Sequence, residues 1–265
     1  MTRPLIVLTN DDGIDSPGLA AAALALHPLG DLLIVAPREQ QSGMGRSMPA
    51  YMDGRLFETR VSADGHTWTA YAAHASPAQA VQHAVLELAP RCPSLVVSGI
   101  NYGENVGTGI TISGTVGAAL EGAALGIKSM AVSLEVDVEH HHTNEESVDF
   151  NTAMHFTRFF ATRWLESPSL PDVDVLKIDI PATATPQTPW RITHLERGLY
   201  YRPLPARRSQ LDEAAPIGYE IAPQEARSPE SDAYAIIQGM VAVTPLSLDL
   251  TSRIALETLC RALGG

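Results

Sequence analysis

Cysteine is nearly missing: Cys92 and Cys260 are the only two in 265 residues, far apart and without CxxC spacing. That excludes a disulfide framework and gives no support to a cysteine-based zinc site; both are read as buried thiols. Long apolar runs are missing too. None approaches the roughly 20 residues of a membrane helix, and the opening Leu5–Leu8 run meets Asn10-Asp11-Asp12 almost at once, unlike a signal peptide. The expected setting is therefore the cytoplasm, with no membrane partner. Basic residues are scarce, 18 Lys and Arg against 30 Asp and Glu, for a net charge of −12. Such a chain repels polyanions and has no excess cations to track a phosphate backbone, so duplex nucleic acid is a disfavoured partner. A small phosphorylated substrate stays compatible if a bound cation reverses the field locally. The Walker-type Gly-Lys-Ser ending and the GxGxxG fingerprint are also absent, so NTP hydrolysis and NAD binding lose support.

What is present is the material of one α/β domain. The composition, 45% apolar and 18% charged, is that of a globular chain. Apolar runs bounded by turn residues at Leu5–Leu8, Leu32–Ala36, Leu95–Val97 and Met130–Leu134 predict buried parallel strands. Alanine-rich stretches between them, Pro17–His27, Ala78–Ala89 and Val116–Leu125, predict crossover helices. Ser76, Pro77 and Gln79 form a helix start with a capping hydroxyl, proline at the first position and glutamine three after the cap. A helix from about Glu145 to Leu165 leads to a strand at Val175–Ile180. Beyond Pro181 the pattern weakens; Arg191–Glu196 and Gly218–Ala222 are read as short strands, Ile236–Val243 as a strand and Ser252–Leu263 as a terminal helix. The predicted fold is a doubly wound, Rossmann-like, mostly parallel sheet, in which ligands gather beyond the carboxyl ends of strands.

Three polar loops follow predicted strands. Thr9-Asn10-Asp11-Asp12-Gly13 places adjacent carboxylates on a tight turn, where they repel unless something positive sits beside them. Oxygen ligands of this kind suit Mg²⁺ or Mn²⁺, although an acidic turn capping the next helix explains the pair equally well. Ala36–Gly43 carries Ser42, a candidate neutral oxygen ligand or an ordinary turn residue. Ser98–Gly107 carries Asn101 and Asn105 among glycines that permit close backbone approach, and runs on to Ser113-Gly114-Thr115, a helix start able to cradle a phosphate. In a doubly wound sheet all three fall on one edge.

At these residues the chain resembles the SurE family, the stationary-phase survival proteins that act as 5′/3′-nucleotidases. LTNDDGIDSPGL, the Ala-Pro…Gln-Ser-Gly loop, VVSGINYGENVG, ISGTVGAALEG and VAVTPLSLDLT occur in the family's order. The resemblance implies a single domain over 1–265, with a Rossmann-like core at 1–180 and an extension at 181–265 through which subunits assemble as homodimers or homotetramers. It implies one Mg²⁺ or Mn²⁺ per subunit, held by Asp11, Asp12, Ser42 and Asn101, with the two aspartates also catalytic. The implied substrate is a nucleoside monophosphate, and in some relatives short polyphosphate. Asn10, Asn105, Gly107, Ser113, Gly114 and Thr115 are the implied substrate and phosphate contacts, with Asn10 placing the acidic turn. The chain departs from the family at Arg38-Glu39-Gln40, where relatives often carry Asp-Arg-Asn, at Ile112 in place of a tyrosine, and at Lys177-Ile178-Asp179, where an Asn-Val-Asn-like strand is usual.

Two other readings compete. Asp11 after the first strand is where haloacid-dehalogenase-like phosphatases carry a nucleophilic aspartate, but Asp11-Asp12-Gly13 lacks their Asp-x-Asp-x-Thr order. A noncatalytic nucleotide-binding module is the second. His140, His141 and His142 lie among acidic residues and are read as a solvated turn, with Thr143 and Glu146 offering a local cap.

Overall fold

The computed structural model describes residues 3–137, 147–222 and 228–264. The chain begins β1 (Leu5–Thr9), α1 (Pro17–Leu26), β2 (Asp31–Pro37), β3 (Leu56–Ala63), β4 (His66–Ala73), α2 (Pro77–His83), β5 (Leu95–Tyr102), α3 (Gly114–Ala124) and β6 (Ser129–Leu134). It continues through α4 (Asn151–Glu166), β7 (Val175–Ile180), β8 (Trp190–Ile192), β9 (Tyr201–Leu204), β10 (Gly218–Ile221), α5 (Asp232–Ile237), β11 (Val241–Leu246) and α6 (Leu256–Ala262). Nine strands form one sheet in the order β3-β4-β2-β1-β5-β6-β7-β11-β8, and β9 with β10 makes a separate antiparallel ribbon. Within the sheet only the β3–β4 and β7–β11 pairings are antiparallel. From the central β1 the chain first builds outward through β2, then returns to β5 on the other side and builds through β6 and β7, so the winding reverses between β1 and β5.

The continuous apolar runs of the central strands have a physical cause. Successive side chains leave a strand on opposite faces, so a strand covered on both sides must be apolar at every position. Ile6, Leu8, Ile34, Ala36, Leu95 and Val97 pack on one side with α1 and α4; Leu5, Val7, Leu33, Val35 and Val96 pack on the other with α2 and Ala118 of α3. Helix α2 starts as its sequence dictates: Ser76 Oγ accepts from the Gln79 N–H at 3.1 Å and Gln79 Oε1 accepts from the Ser76 N–H at 3.0 Å.

Several expectations change. β5 does not stop at Val97; it runs to Tyr102, with a register shift against β6 between Ser98 and Asn101 that re-aims its carboxyl end. α2 ends at His83 and passes into a π-helical turn over Ala84–Leu88. α4 begins at Asn151, where the Asp149 carboxylate accepts the Asn151 N–H; the earlier start near Glu145, the histidine turn and its cap lie outside the described residues. The strand expected from Ile236 begins at Val241, because Ser231 Oγ caps a short helix instead, accepting from the Tyr234 N–H. That helix buries Ala233, Ala235 and Ile236 against Val106, Tyr200 and Ala242. Strand β8 stops at Ile192, since His194 leaves the sheet to bridge Ser231. α6 covers Leu256–Ala262 rather than Ser252–Leu263, and both cysteines are exposed. The hairpin β3–β4 was not foreseen. No helix among the described residues is long and apolar enough to cross a membrane.

Candidate active site

The carboxyl ends of β2, β1 and β5 lie side by side, which brings the three polar loops together at the point where the winding reverses. After β1 the backbone turns sharply at Gly13, whose φ of 100° suits glycine. Asn10 closes this turn from both sides: its Nδ2 donates to the Gly13 carbonyl at 2.9 Å and its Oδ1 accepts the Gly13 N–H at 3.2 Å. Asn10 therefore shapes the acidic turn. The second loop is tied to it, with the Gln41 N–H donating to the Asp11 carbonyl at 2.7 Å and Gln40 Nε2 donating to Asp12 Oδ1 at 3.3 Å. Gln40, one of the family departures, thus supports an acid of the site directly.

Asp11 and Asp12 are 4% and 2% exposed. Burial pushes both carboxyls above the usual aspartate range, and the charge of Asp11 pushes Asp12 further. The protein directs donors at them: the Thr115 hydroxyl donates to Asp11 Oδ1, and the Tyr102 N–H donates to Asp12 Oδ2 at 3.3 Å. The helix start beside Asp11 is correspondingly tight. A Cβ on Gly114 would stand 2.7 Å from both Cβ and Oδ2 of Asp11, so only glycine lets α3 approach so closely. Ser113 Oγ accepts the Val116 N–H at 3.1 Å and keeps its own proton to donate.

Asn101 Nδ2 donates to the carbonyls of Tyr102 and Gly103, at 3.2 and 2.6 Å, which turns its Oδ1 outward as an acceptor. Asp11, Ser42, Asn101, Asn105 and Ser113 all line one cavity of about 530 Å³. Asn105 is fixed twice, its N–H donating to Asp179 Oδ1 at 2.7 Å and its Nδ2 to Ser133 Oγ at 2.9 Å. Gly107 has a different partner: its N–H donates to Asp232 Oδ2 at 3.0 Å, which leaves that group committed to the fold. Behind these loops Lys177, fully buried, binds both Asp179 and Asp232.

The donor set fits a divalent cation. Two buried carboxylates side by side carry a desolvation and repulsion cost that a cation between or beside them removes, and Ser42 and Asn101 add neutral oxygens of the kind Mg²⁺ and Mn²⁺ accept. Among the described residues no group of three or more His, Cys, Asp or Glu converges.

The far wall of the cavity was not anticipated. Leu199, Tyr200, Tyr201, Pro203, Ile217 and Tyr219 come from the β9–β10 ribbon and its approaches. The Tyr200-Tyr201 pair and the Gly218-Tyr219 step were its only sequence signals, in a stretch without periodicity.

Fold and site together define a Rossmann-like α/β protein whose acid pair and open cavity sit at the topological reversal of the sheet. The profile of the family described as Survival protein SurE matches residues 6–202, and the chain belongs to the SurE family. It is 40% identical to a "5'-nucleotidase SurE" of Thermococcus gammatolerans, covering 98% of this chain and 96% of that one. It is 38% identical to a protein of the same description from Thermococcus kodakarensis, covering 97% and 98%. Among solved structures it is similar to the SurE protein of Aquifex aeolicus, with a TM-score of 0.76, 29% identity and coverage of 99% of this chain and 100% of that one.

Proposed function

We propose that this chain is a divalent-metal-dependent nucleotidase that hydrolyses the phosphate of nucleoside monophosphates, and that short polyphosphate is a secondary substrate. The observation that carries the reading is the buried Asp11–Asp12 pair beside a helix start, with Asp11 lining one cavity together with Ser42, Asn101 and Asn105. Asp11, Asp12, Ser42 and Asn101 hold one Mg²⁺ or Mn²⁺ per subunit. When bound, that ion supplies Lewis-acid polarisation of a phosphoryl oxygen and a more acidic water. One carboxylate of the pair orients the attacking water and takes its proton. Asn105 and Ser113 donate to phosphate oxygens as negative charge grows on them. Thr115 and Gly114 act one step back, by orienting Asp11 and letting it approach, while Asn10 and Gly107 hold the loops in shape. The relatives described as 5'-nucleotidases support the substrate class.

Residues 1–265 are taken as one SurE-like domain that assembles as a homodimer or homotetramer through its later part. The exposed free thiols of Cys92 and Cys260 suit a reducing compartment, which supports a cytoplasmic location.

The test is phosphate release from a panel of nucleoside monophosphates with Mg²⁺, Mn²⁺ or chelator, on the native protein and on Asp11→Asn and Asp12→Asn. The expected result is metal-dependent release, abolished by chelator and lowered about 100-fold or more in each variant, since loss of a ligand exceeds loss of a residue supporting one. Full metal-dependent activity in both variants would place the site elsewhere. A trapped phosphoaspartate would favour a covalent route, and nucleotide binding without turnover a binding module.

A further inference from the structure

We infer that Tyr201 and Tyr219 form the platform that receives the base of the substrate, an inference that rests on the nucleotidase reading above. The cavity that opens at Asp11, Ser42 and Asn101 continues without a break to Tyr200, Tyr201 and Tyr219. Its character changes along that path. The acid end is polar, whereas the far end adds Leu199, Pro203 and Ile217 to the tyrosines. Among the described residues that line the cavity, the charged ones are Asp11 and Glu104, and none is Lys or Arg. The far end is therefore suited to a planar group of low charge.

The tyrosines form an ordered array. The rings of Tyr200 and Tyr201 lie 4.9 Å apart at 89°, and those of Tyr201 and Tyr219 lie 5.3 Å apart at 74°. Tyr200, 3% exposed, is packed with Val106 and Ile236 and acts as the backing. Tyr201 is held from the side, its hydroxyl donating to the Glu104 carbonyl at 3.4 Å. Tyr219 stands on the opposite strand of the ribbon, where Ile221 pairs with Tyr201. Tyr201 and Tyr219 are half-buried and line the cavity, so they supply its aromatic surface. Stacking of this kind tolerates every base because every base has a π-face, so the platform selects for nucleotides as a class. With the phosphate at the acid end and the base on the tyrosines, the sugar passes Gly103 and Asn105.

The experiment compares nucleoside monophosphates with ribose 5-phosphate, which carries the same phosphate and sugar without a base. It uses the full chain with Mg²⁺ or Mn²⁺, and the variants Tyr219→Leu, Tyr219→Phe and Tyr201→Leu. Tyr219→Leu and Tyr201→Leu are expected to raise KM for nucleoside monophosphates about 10-fold, the loss of one stacking contact, with kcat nearly unchanged. Their kinetics on ribose 5-phosphate should match the native protein, and Tyr219→Phe should restore the nucleotide KM. Equal losses on both substrates, or no loss on either, would overturn the platform. Binding of the unphosphorylated nucleoside, followed by tyrosine fluorescence in the same variants, separates this inference from the reading beneath it. Binding that weakens in the leucine variants while the native protein releases no phosphate keeps the platform and removes the nucleotidase. Nucleoside binding that the leucine substitutions leave unchanged removes the platform, whatever the turnover.

Discussion

Gly114 is the point at which one missing carbon decides the geometry of the acid pair. An added methyl would meet Asp11 at 2.7 Å, and Asp11 is already held by Thr115 and by the turn that Asn10 closes. Gly114→Ala is therefore expected to push the Asp11 carboxylate from its place while the rest of α3 keeps its packing. Mn²⁺ affinity measured by titration calorimetry should fall about 10- to 100-fold, as for a residue that positions a ligand, and unchanged affinity would show that Asp11 tolerates the shift. At this scale much of the site was legible. Adjacent acids after a buried run, with glycine next, already suggest a carboxylate turn, whereas Gly114 reads from sequence only as part of a helix start. The tasks of Gly107 and Thr115 were not legible, because both are set by contacts across the fold: Gly107 meets Asp232, 125 positions later, and Thr115 meets Asp11, 104 positions earlier.

Strand β7 carries an arrangement that its short sequence does not announce. Lys177 and Asp179 leave the strand on the same face, two residues apart, and meet Asp232 at the start of α5. Burial pushes the Lys177 ammonium down, but the two carboxylates outweigh it and hold it above its ordinary value. Two acids share one cation, so they divide: burial raises Asp179 to about 6, whereas Asp232, also accepting from Glu196, Gly107 and Ala233, stays below its usual range. Lys177→Met strands two carboxylates in the core and is expected to cost about 3–5 kcal/mol in urea denaturation, as when one partner of a buried pair is removed. Changing Asp179 and Asp232 to asparagine in the same protein should recover most of that loss; a single Lys177→Met variant of native stability would show the triad is not ionised. Elements were legible wherever both faces of a strand are covered, as in β1, β2 and β6. The β3–β4 hairpin was also readable in principle, since Asp64-Gly65, both at positive φ, is a two-residue turn between β-branched and aromatic residues. From Pro181 to Ser231 the strands are three or four residues long and largely exposed, too short for a period to show.

At the scale of the molecule, the terminal helix is out of keeping with the rest. Every residue of α6 is exposed, and Leu250, Leu256 and Leu263 are 92%, 70% and 80% accessible. A segment with that many exposed apolar side chains is suited to a second copy. Removal of residues 250–265 is expected to leave the circular dichroism of the sheet intact while sedimentation shows a smaller assembly. An unchanged sedimentation coefficient per subunit count would assign assembly to other surfaces. The net charge of −12 falls on a chain whose cavity is lined, among the described residues, by Asp11 and Glu104 and by no Lys or Arg, which disfavours recruitment of an anionic substrate by long-range attraction.

The cavity has two authors in the chain. Its acid end is written by residues between 11 and 113, mostly on the loops that leave the sheet, and its tyrosine end by residues between 199 and 219, on and beside a two-stranded ribbon outside that sheet. A lineage can therefore redraft the ribbon, lengthening it or exchanging its rings, while the bond-breaking half is inherited unaltered. Diversification in such proteins would show as shared turnover with divergent tastes, and grafting the ribbon of one relative onto another would carry the taste with it.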